Sequence, residues 1–88
     1  MRITVKYSGL LSEVLGVYSE EVEIPENTTI KDLIARLSLQ HTQLRRVLEA
    51  VPLLQVHING REVSFYSETA VLRDRDEVTL SLPLFEGG

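Results

Sequence analysis

The chain has 88 residues, the size of one small domain. Thirteen acidic residues outnumber nine basic ones and give a net charge of −4, so the basic excess that phosphate-backbone binding requires is lacking. This balance argues against nucleic acid and anionic membranes as partners. Cysteine is absent, which excludes disulfides, thiolate metal sites and thiol nucleophiles. With no signal-peptide pattern and no run of about 18 apolar residues, we expect a cytoplasmic protein.

The N-terminal part predicts two strands joined by a helical turn. Residues 2–7 alternate between polar and apolar, and residues 18–24 alternate again, as expected of strands with one buried face. Between them, residues 10–16 predict a helical turn that Gly16 closes. In a hairpin of these strands, Arg2 and Lys6 would face the outward glutamates of the second strand.

Two helices are predicted next. Thr29 and Asp32 form a capping box, and the apolar residues that follow recur at helical spacing, which predicts the main helix of the fold. A second, shorter helix after His41 is expected to end at Pro52. The apolar residues of the two helices are Ile30, Leu33, Ile34 and Leu37, and then Leu44, Val47 and Leu48.

The C-terminal part predicts a hairpin and a final strand. Alternating residues lead into Asn59-Gly60, a two-residue hairpin signal, and Val63 and Phe65 are expected on the return strand. Residues 73–76 form a polar turn before the last strand at residues 77–82. If the first and last strands lie centrally and in parallel, the order of elements gives an α+β fold of the β-grasp, or ubiquitin-like, type, with four to five strands on a main helix and a second short helix.

The chain closes with a diglycine, Gly87-Gly88, after Pro83. Proline ends a strand ladder because it has no N–H, and glycine enters channels too narrow for other residues. We therefore predict one domain at residues 1–82 and a flexible tail at residues 83–88 that can enter a partner's active site. An incidental, frayed terminus is the alternative.

Catalytic patterns are scarce. His41 and His57 lie in different elements and are expected to be solvated, so we predict no metal site. The carboxylate pairs Glu21 with Glu23 and Asp74 with Asp76 are also expected to be solvated. Tyr7 and Tyr18 are interpreted as core or sheet-edge residues. These observations favour a protein that is not an enzyme by itself and needs no cofactor of its own.

The chain resembles the MoaD/ThiS family of ubiquitin-like sulfur carriers, and most closely MoaD, the small subunit of molybdopterin synthase. The resemblance lies in the strand at residues 2–7, the capping-box helix, the Asn59-Gly60 hairpin, the acidic turn at residues 74–78 and the tail at residues 82–88. Family members commonly have a second proline and a small residue where Leu84 and Glu86 stand here.

The resemblance implies a chemistry at the C terminus. An E1-like enzyme of the MoeB/ThiF type would adenylate Gly88 with ATP, and a sulfur donor would convert it to a thiocarboxylate. A large subunit of the MoaE type would then use that sulfur to build molybdopterin. Leu82 would contact the partner, and the tail would enter the partner's active site through Pro83, Leu84, Phe85, Glu86 and Gly87.

Two other functions remain open at this stage. A ubiquitin-like modifier would use the same activation to join Gly88 to a target lysine. A non-covalent β-grasp interaction domain would make no use of the glycines. The chain has only Lys6 and Lys31 for linking copies of itself, which favours the carrier. The length of the segment between the main helix and the Asn59-Gly60 hairpin resembles MoaD more than the shorter ThiS.

Overall fold

A five-stranded mixed sheet with helices on one face organises the molecule. The structure is a computed structural model that describes residues 1–51, 53–65, 67 and 69–83. The strands lie in the order β2-β1-β5-β3-β4. The elements along the chain are β1 (Arg2–Tyr7), α1 (Leu10–Leu15), β2 (Ser19–Glu23), α2 (Ile30–Gln40), α3 (Thr42–Ala50), β3 (Gln55–Ile58), β4 (Arg61–Val63) and β5 (Glu77–Ser81).

The first and last strands form the centre of the sheet, as predicted. β1 pairs with β5 in parallel, with Val5 opposite Val78, and every other pairing is antiparallel among the residues that the structure describes. Val5 and Val78 are fully buried, because a central strand has neighbours on both edges and helices over one face. This arrangement makes β5 the most enclosed part of the sheet just before the chain leaves it.

Local signals explain where α2 begins and how it packs. The Thr29 side chain accepts a hydrogen bond from the Asp32 amide, and the Asp32 carboxylate accepts one from the Thr29 amide, so the predicted capping box is present. The predicted apolar stripe of α2 is buried against the sheet. One core cluster unites the buried residues of sheet and helices, including Ile3, Leu11, Leu33, Leu37, Leu44, Val56 and Leu80.

The structure confirms the predicted helical turn near the N terminus and differs from the sequence predictions in one strand. Residues 10–15 form a regular helix that Gly16 closes in the left-handed conformation. α3 ends at Ala50, and Pro52 lies outside the described residues. β4 ends at Val63, so the prediction of Phe65 in the return strand is wrong. The Ser64 carbonyl accepts a hydrogen bond from the Ser67 amide, which turns the chain away from the ladder.

Charge pairing on the open face of the sheet also departs from prediction at one position. Arg2 lies opposite Glu23 and donates to it at 2.8 Å, as expected. Lys6 instead lies opposite Ser19 on β2, and its Nζ is 3.1 Å from the Glu77 carboxylate on β5. The register of the hairpin leaves no glutamate opposite Lys6. Both ion pairs are exposed, so each contributes little to stability.

Candidate functional site

The base of the predicted tail lies at the end of the central strand β5. Leu82 follows β5 and is only 4% exposed, and Pro83 is partly exposed. Leu82 belongs to the core cluster together with Leu80. The alternation of β5 turns the Leu82 side chain into the core, where it anchors the end of the strand. A partner contact at Leu82 stays a prediction.

Five of the predicted site residues lie outside the described residues: Leu84, Phe85, Glu86, Gly87 and Gly88. The roles assigned to them stay predictions, and so does a tail that begins at Pro83.

An apolar cleft of about 230 Å³ lies beside Pro83. We call it the tail cleft; Leu53, Leu54, Val63, Phe65 and Pro83 form its apolar lining, and Gln55, Glu62 and Ser64 complete it. Leu54 is buried at 1% exposure, whereas Leu53 is 37% exposed. The cleft brings residues from three parts of the chain to the point where β5 ends, and the sequence analysis did not foresee it.

A polar cluster at the opposite edge of the sheet joins three elements. The Tyr7 hydroxyl donates to Glu20 Oε2 at 2.5 Å, and His41 Nε2 lies 2.6 Å from the same oxygen. The two rings also meet edge to face, with centroids 5.9 Å apart. His41 is thus not the solvated residue that the sequence predicts, because the junction of α2 and α3 places it against the start of β2.

The electrostatics of this cluster keep Tyr7 protonated. Burial raises the pKa of the Tyr7 hydroxyl well above its usual value, and the hydrogen bond and negative charge of Glu20 raise this pKa further. A phenol in this environment donates a hydrogen bond and does not act as a base near neutral pH. Tyr7 is therefore a core residue, as predicted, whereas Tyr18 is 79% exposed and does not pack as expected.

The acidic turn before β5 is held by its own carboxylates. Asp76 accepts from the Arg73 amide at 2.8 Å and from the Asn59 side chain at 2.9 Å. Asp74 accepts from the Arg2 amide at 2.9 Å. Asp74 and Asp76 are therefore bound to neighbouring backbone and side-chain groups and are not simply solvated. Their contacts set the start of β5 against β1 and the Asn59-Gly60 turn.

The described part of the chain contains neither a metal-binding cluster nor a membrane-spanning helix. Across residues 1–51, 53–65, 67 and 69–83, no group of three or more His, Asp or Glu residues is placed to hold a metal ion. Within the same ranges, no helix has the length and apolar character to cross a membrane.

The strand order and the helices packed on one face define a ubiquitin-like protein of the β-grasp fold. This class was predicted from the order of the elements and is confirmed. The chain belongs to the ThiS family, whose family model matches residues 5–88. A search among curated proteins finds no significant match.

Solved structures agree with this classification. A putative molybdopterin converting factor, subunit 1, from Pyrococcus furiosus is 27% identical with a TM-score of 0.77, over 96% of this chain and 99% of that one. SAMP1 from Haloferax volcanii is 22% identical with a TM-score of 0.78, over all of both chains. A complex of subunits 1 and 2 of molybdopterin-converting factor from Helicobacter pylori matches at 18% identity and a TM-score of 0.68, over 96% of each chain.

Proposed function

We propose that this chain is a sulfur carrier that holds sulfur as a thiocarboxylate on Gly88. The observation that carries the proposal is the ThiS family match, which extends through the diglycine to residue 88. The base of the tail supports it: Leu82 is buried, and Pro83 follows the central strand of the sheet. A rigid base allows a partner to bind the folded domain while the residues beyond Pro83 enter the active site of that partner.

The proposed chemistry requires activation, because a carboxylate is a poor electrophile. A Gly88 carboxylate oxygen attacks the α-phosphate of ATP in an E1-like enzyme, pyrophosphate leaves, and an acyl adenylate forms. The terminal sulfur of a persulfide donor then attacks the carbonyl carbon and AMP leaves. A second thiol cleaves the resulting acyl disulfide, which releases the thiocarboxylate and leaves a disulfide on the donor side. In this scheme ATP belongs to the activating partner.

The small size and conformational freedom of the two terminal glycines suit this chemistry. Gly87 and Gly88 lack a Cβ, so a narrow channel admits them in conformations that other residues avoid. Ordering each tail residue in that channel costs about 1–2 kcal/mol of backbone entropy. Leu84 and Phe85 are the apolar residues placed to offset this cost through contacts with the partner.

Within this role, the branch we favour is the small subunit of molybdopterin synthase with a MoaE-type partner. The 27% identical relative described as molybdopterin converting factor subunit 1 supports this choice. The complex of subunits 1 and 2 from Helicobacter pylori supports the same kind of pairing at the level of the fold. In this branch the chain is a non-catalytic subunit, and the large subunit carries out the sulfur transfer.

The likeness to SAMP1, a small archaeal modifier protein, keeps conjugation as a second candidate. A modifier would transfer the same acyl adenylate to a lysine of a target protein. Exposed lysines of the chain itself are few, since Lys6 and Lys31 are the only two in the sequence.

Intact-mass spectrometry tests the carrier function. The protein is incubated with an E1-like enzyme, ATP and a persulfide donor, and we expect a mass gain equal to the replacement of one oxygen by one sulfur. Deletion of Gly88 should abolish the gain, while Leu39→Ala, at a residue 85% exposed on α2, should retain it. A full panel of activating enzymes that produces no gain would contradict the proposal.

A second assay separates the branches. The thiocarboxylated protein is mixed with a MoaE-type subunit and a molybdopterin precursor, and loss of the added sulfur from the protein supports the synthase role. Lysine-linked adducts in a lysate supplied with ATP, without such sulfur loss, would support the modifier instead.

A further inference from the structure

We propose that Asn59 is a modification site whose deamidation the fold suppresses and whose product weakens the contact between the β3–β4 hairpin and β5. Asn59 and Gly60 form the turn of this hairpin, with φ of 51° and 84°. An asparagine followed by glycine is especially prone to deamidation, because the missing Cβ leaves the glycine nitrogen free to attack the asparagine side chain. The pair occurs once in the sequence, and the proposed sulfur chemistry makes no use of it.

Three hydrogen bonds hold Asn59 against the start of β5. The Asn59 amide donates to the Glu77 carbonyl oxygen at 2.8 Å, and the Glu77 amide donates to Asn59 Oδ1 at 2.9 Å. Asn59 Nδ2 donates to Asp76 Oδ1, also at 2.9 Å. Both ends of the side-chain amide are therefore bound. Their partners lie far away along the chain, so only the folded protein supplies them.

The chemistry of deamidation requires these hydrogen bonds to break. The Gly60 backbone nitrogen attacks Cγ of Asn59 and forms a C–N bond. The bond from Cγ to Nδ2 breaks, and Nδ2 leaves as ammonia with the proton of the Gly60 amide. Water then opens the succinimide ring at either carbonyl carbon and gives aspartate or isoaspartate. Because attack makes Cγ tetrahedral and removes Nδ2 from Asp76, the folded protein should react more slowly than the unfolded chain.

The product puts a negative charge where the structure has a donor. In the aspartate product, a carboxylate oxygen, which only accepts hydrogen bonds, replaces the Nδ2 atom that lies 2.9 Å from Asp76 Oδ1. The hydrogen bond is lost, and two like charges meet. Asp76 also accepts from the Arg73 amide at 2.8 Å, so the repulsion acts on the turn that precedes β5. Isoaspartate adds one methylene to the backbone, which disturbs the turn that pairs Ile58 with Arg61.

Asn27 provides a control within the same chain. It also has a positive φ, of 66°, and it is exposed. Thr28 follows it, and the branched side chain of threonine hinders attack by the backbone nitrogen. Asn27 and Asn59 are the only asparagines in the sequence, so peptide mass spectrometry assigns each asparagine deamidation to one of them.

Deamidation rates at mildly alkaline pH test the suppression. We expect Asn59 to react severalfold faster in urea-unfolded protein than in folded protein. Asp76→Ala should speed the reaction severalfold in the folded protein and leave the rate in urea unchanged. Thr29→Ala weakens the fold elsewhere, and urea is adjusted until both variants have the same unfolded fraction. Equal rates at Asn59 in folded and unfolded protein, or in these two matched variants, would overturn the proposal.

Substitution tests the effect of the product. Asn59→Asp should lower the urea midpoint of unfolding at neutral pH, whereas Asn27→Asp should leave it near that of the parent protein. Asp76→Asn removes one charge and supplies an amide that can donate to the new carboxylate. Asn59→Asp should therefore lower the midpoint less in the Asp76→Asn background than in the parent protein. No decrease from Asn59→Asp, or equal decreases in both backgrounds, would overturn the assigned effect of the product.

Discussion

His41 Nε2 lies 2.6 Å from Glu20 Oε2, an oxygen that also accepts the hydrogen bond of the Tyr7 hydroxyl. The side chains of His41 and Glu20 are 23% and 26% exposed, so the contact is partly shielded from water. It joins the junction of α2 and α3 to the edge strand β2, whose other edge has no partner strand among the residues that the structure describes. This contact joins the helical layer to the sheet through polar groups as well as through the core.

Removing the Tyr7 hydroxyl should destabilise the protein. Tyr7→Phe keeps the buried ring but takes away a donor to a carboxylate, and hydrogen bonds to charged groups contribute about 1.5–3 kcal/mol. We expect a loss of about 1–2 kcal/mol in the free energy of unfolding, measured by urea denaturation. Tyr18→Phe is the matched control, because Tyr18 is 79% exposed, and should change stability by less than about 0.5 kcal/mol. Equal effects of the two substitutions would refute a stabilising role for the cluster.

The raised pKa of the same hydroxyl predicts that the protein loses stability in alkaline solution. Burial and Glu20 raise the pKa of Tyr7 in the folded state above its ordinary value of 10.0. Above pH 10.0 the unfolded chain therefore releases a proton that the folded protein keeps, and stability decreases as pH rises. Denaturation curves from about pH 9 to about pH 11 should show a decrease approaching about 1.4 kcal/mol per pH unit from this group. Tyr7→Phe should flatten the decrease; an unchanged slope would contradict the assignment.

The capping box of α2 predicts that replacing Thr29 lowers the stability of the protein. Thr29→Ala removes the acceptor for the Asp32 amide at 3.1 Å and should lower stability by about 1 kcal/mol. Thr42→Ala, at the exposed first residue of α3, provides the comparison, because His41 and not Thr42 is the N-cap there. Urea denaturation of both variants measures the difference. A Thr29→Ala protein as stable as the Thr42→Ala protein would argue against the cap.

A substitution at Leu82 tests whether this residue anchors the end of β5 in the core or is free to contact a partner. Leu82→Ala opens a cavity in the core at a residue 4% exposed and should cost about 2–5 kcal/mol of stability. Leu39→Ala, at a residue 85% exposed, should cost less than about 0.5 kcal/mol. Thermal and urea denaturation measure both. If Leu82→Ala unfolds like the parent protein, the anchoring role is wrong and the original interface prediction stands.

Prediction succeeded wherever neighbours along the chain decide the structure. The capping box at Thr29 and Asp32 is confirmed because its partners are three residues apart. The Asn59-Gly60 turn is confirmed, with φ of 51° and 84°, because the left-handed conformation suits these two residue types. The end of β4 was missed because a turn bond between Ser64 and Ser67 competes with the ladder, and alternation does not reveal that competition.

The candidate site was only partly predictable for a related reason. The tail is apparent in the sequence as a proline followed by apolar residues and a diglycine. The tail cleft at the base of the tail is not apparent in the sequence. It brings Leu53, Val63 and Pro83 together through the pairing of β3 with β4 and β5. Sequence alternation predicts which side of a strand a residue occupies but not which neighbours surround it.

The residue pattern alone was enough to specify the β-grasp order of elements, the buried stripe of α2 and a chain that ends in two glycines, because periodicity and turn chemistry act over a few residues. Only the folded structure decided that Glu20 meets His41, that Lys6 pairs with Glu77 and that Leu82 lies in the core. These contacts join residues far apart in the chain, and strand register and helix packing bring them together. Long-range polar contacts depend on this geometry to within a few ångströms, which hydrophobic alternation does not encode.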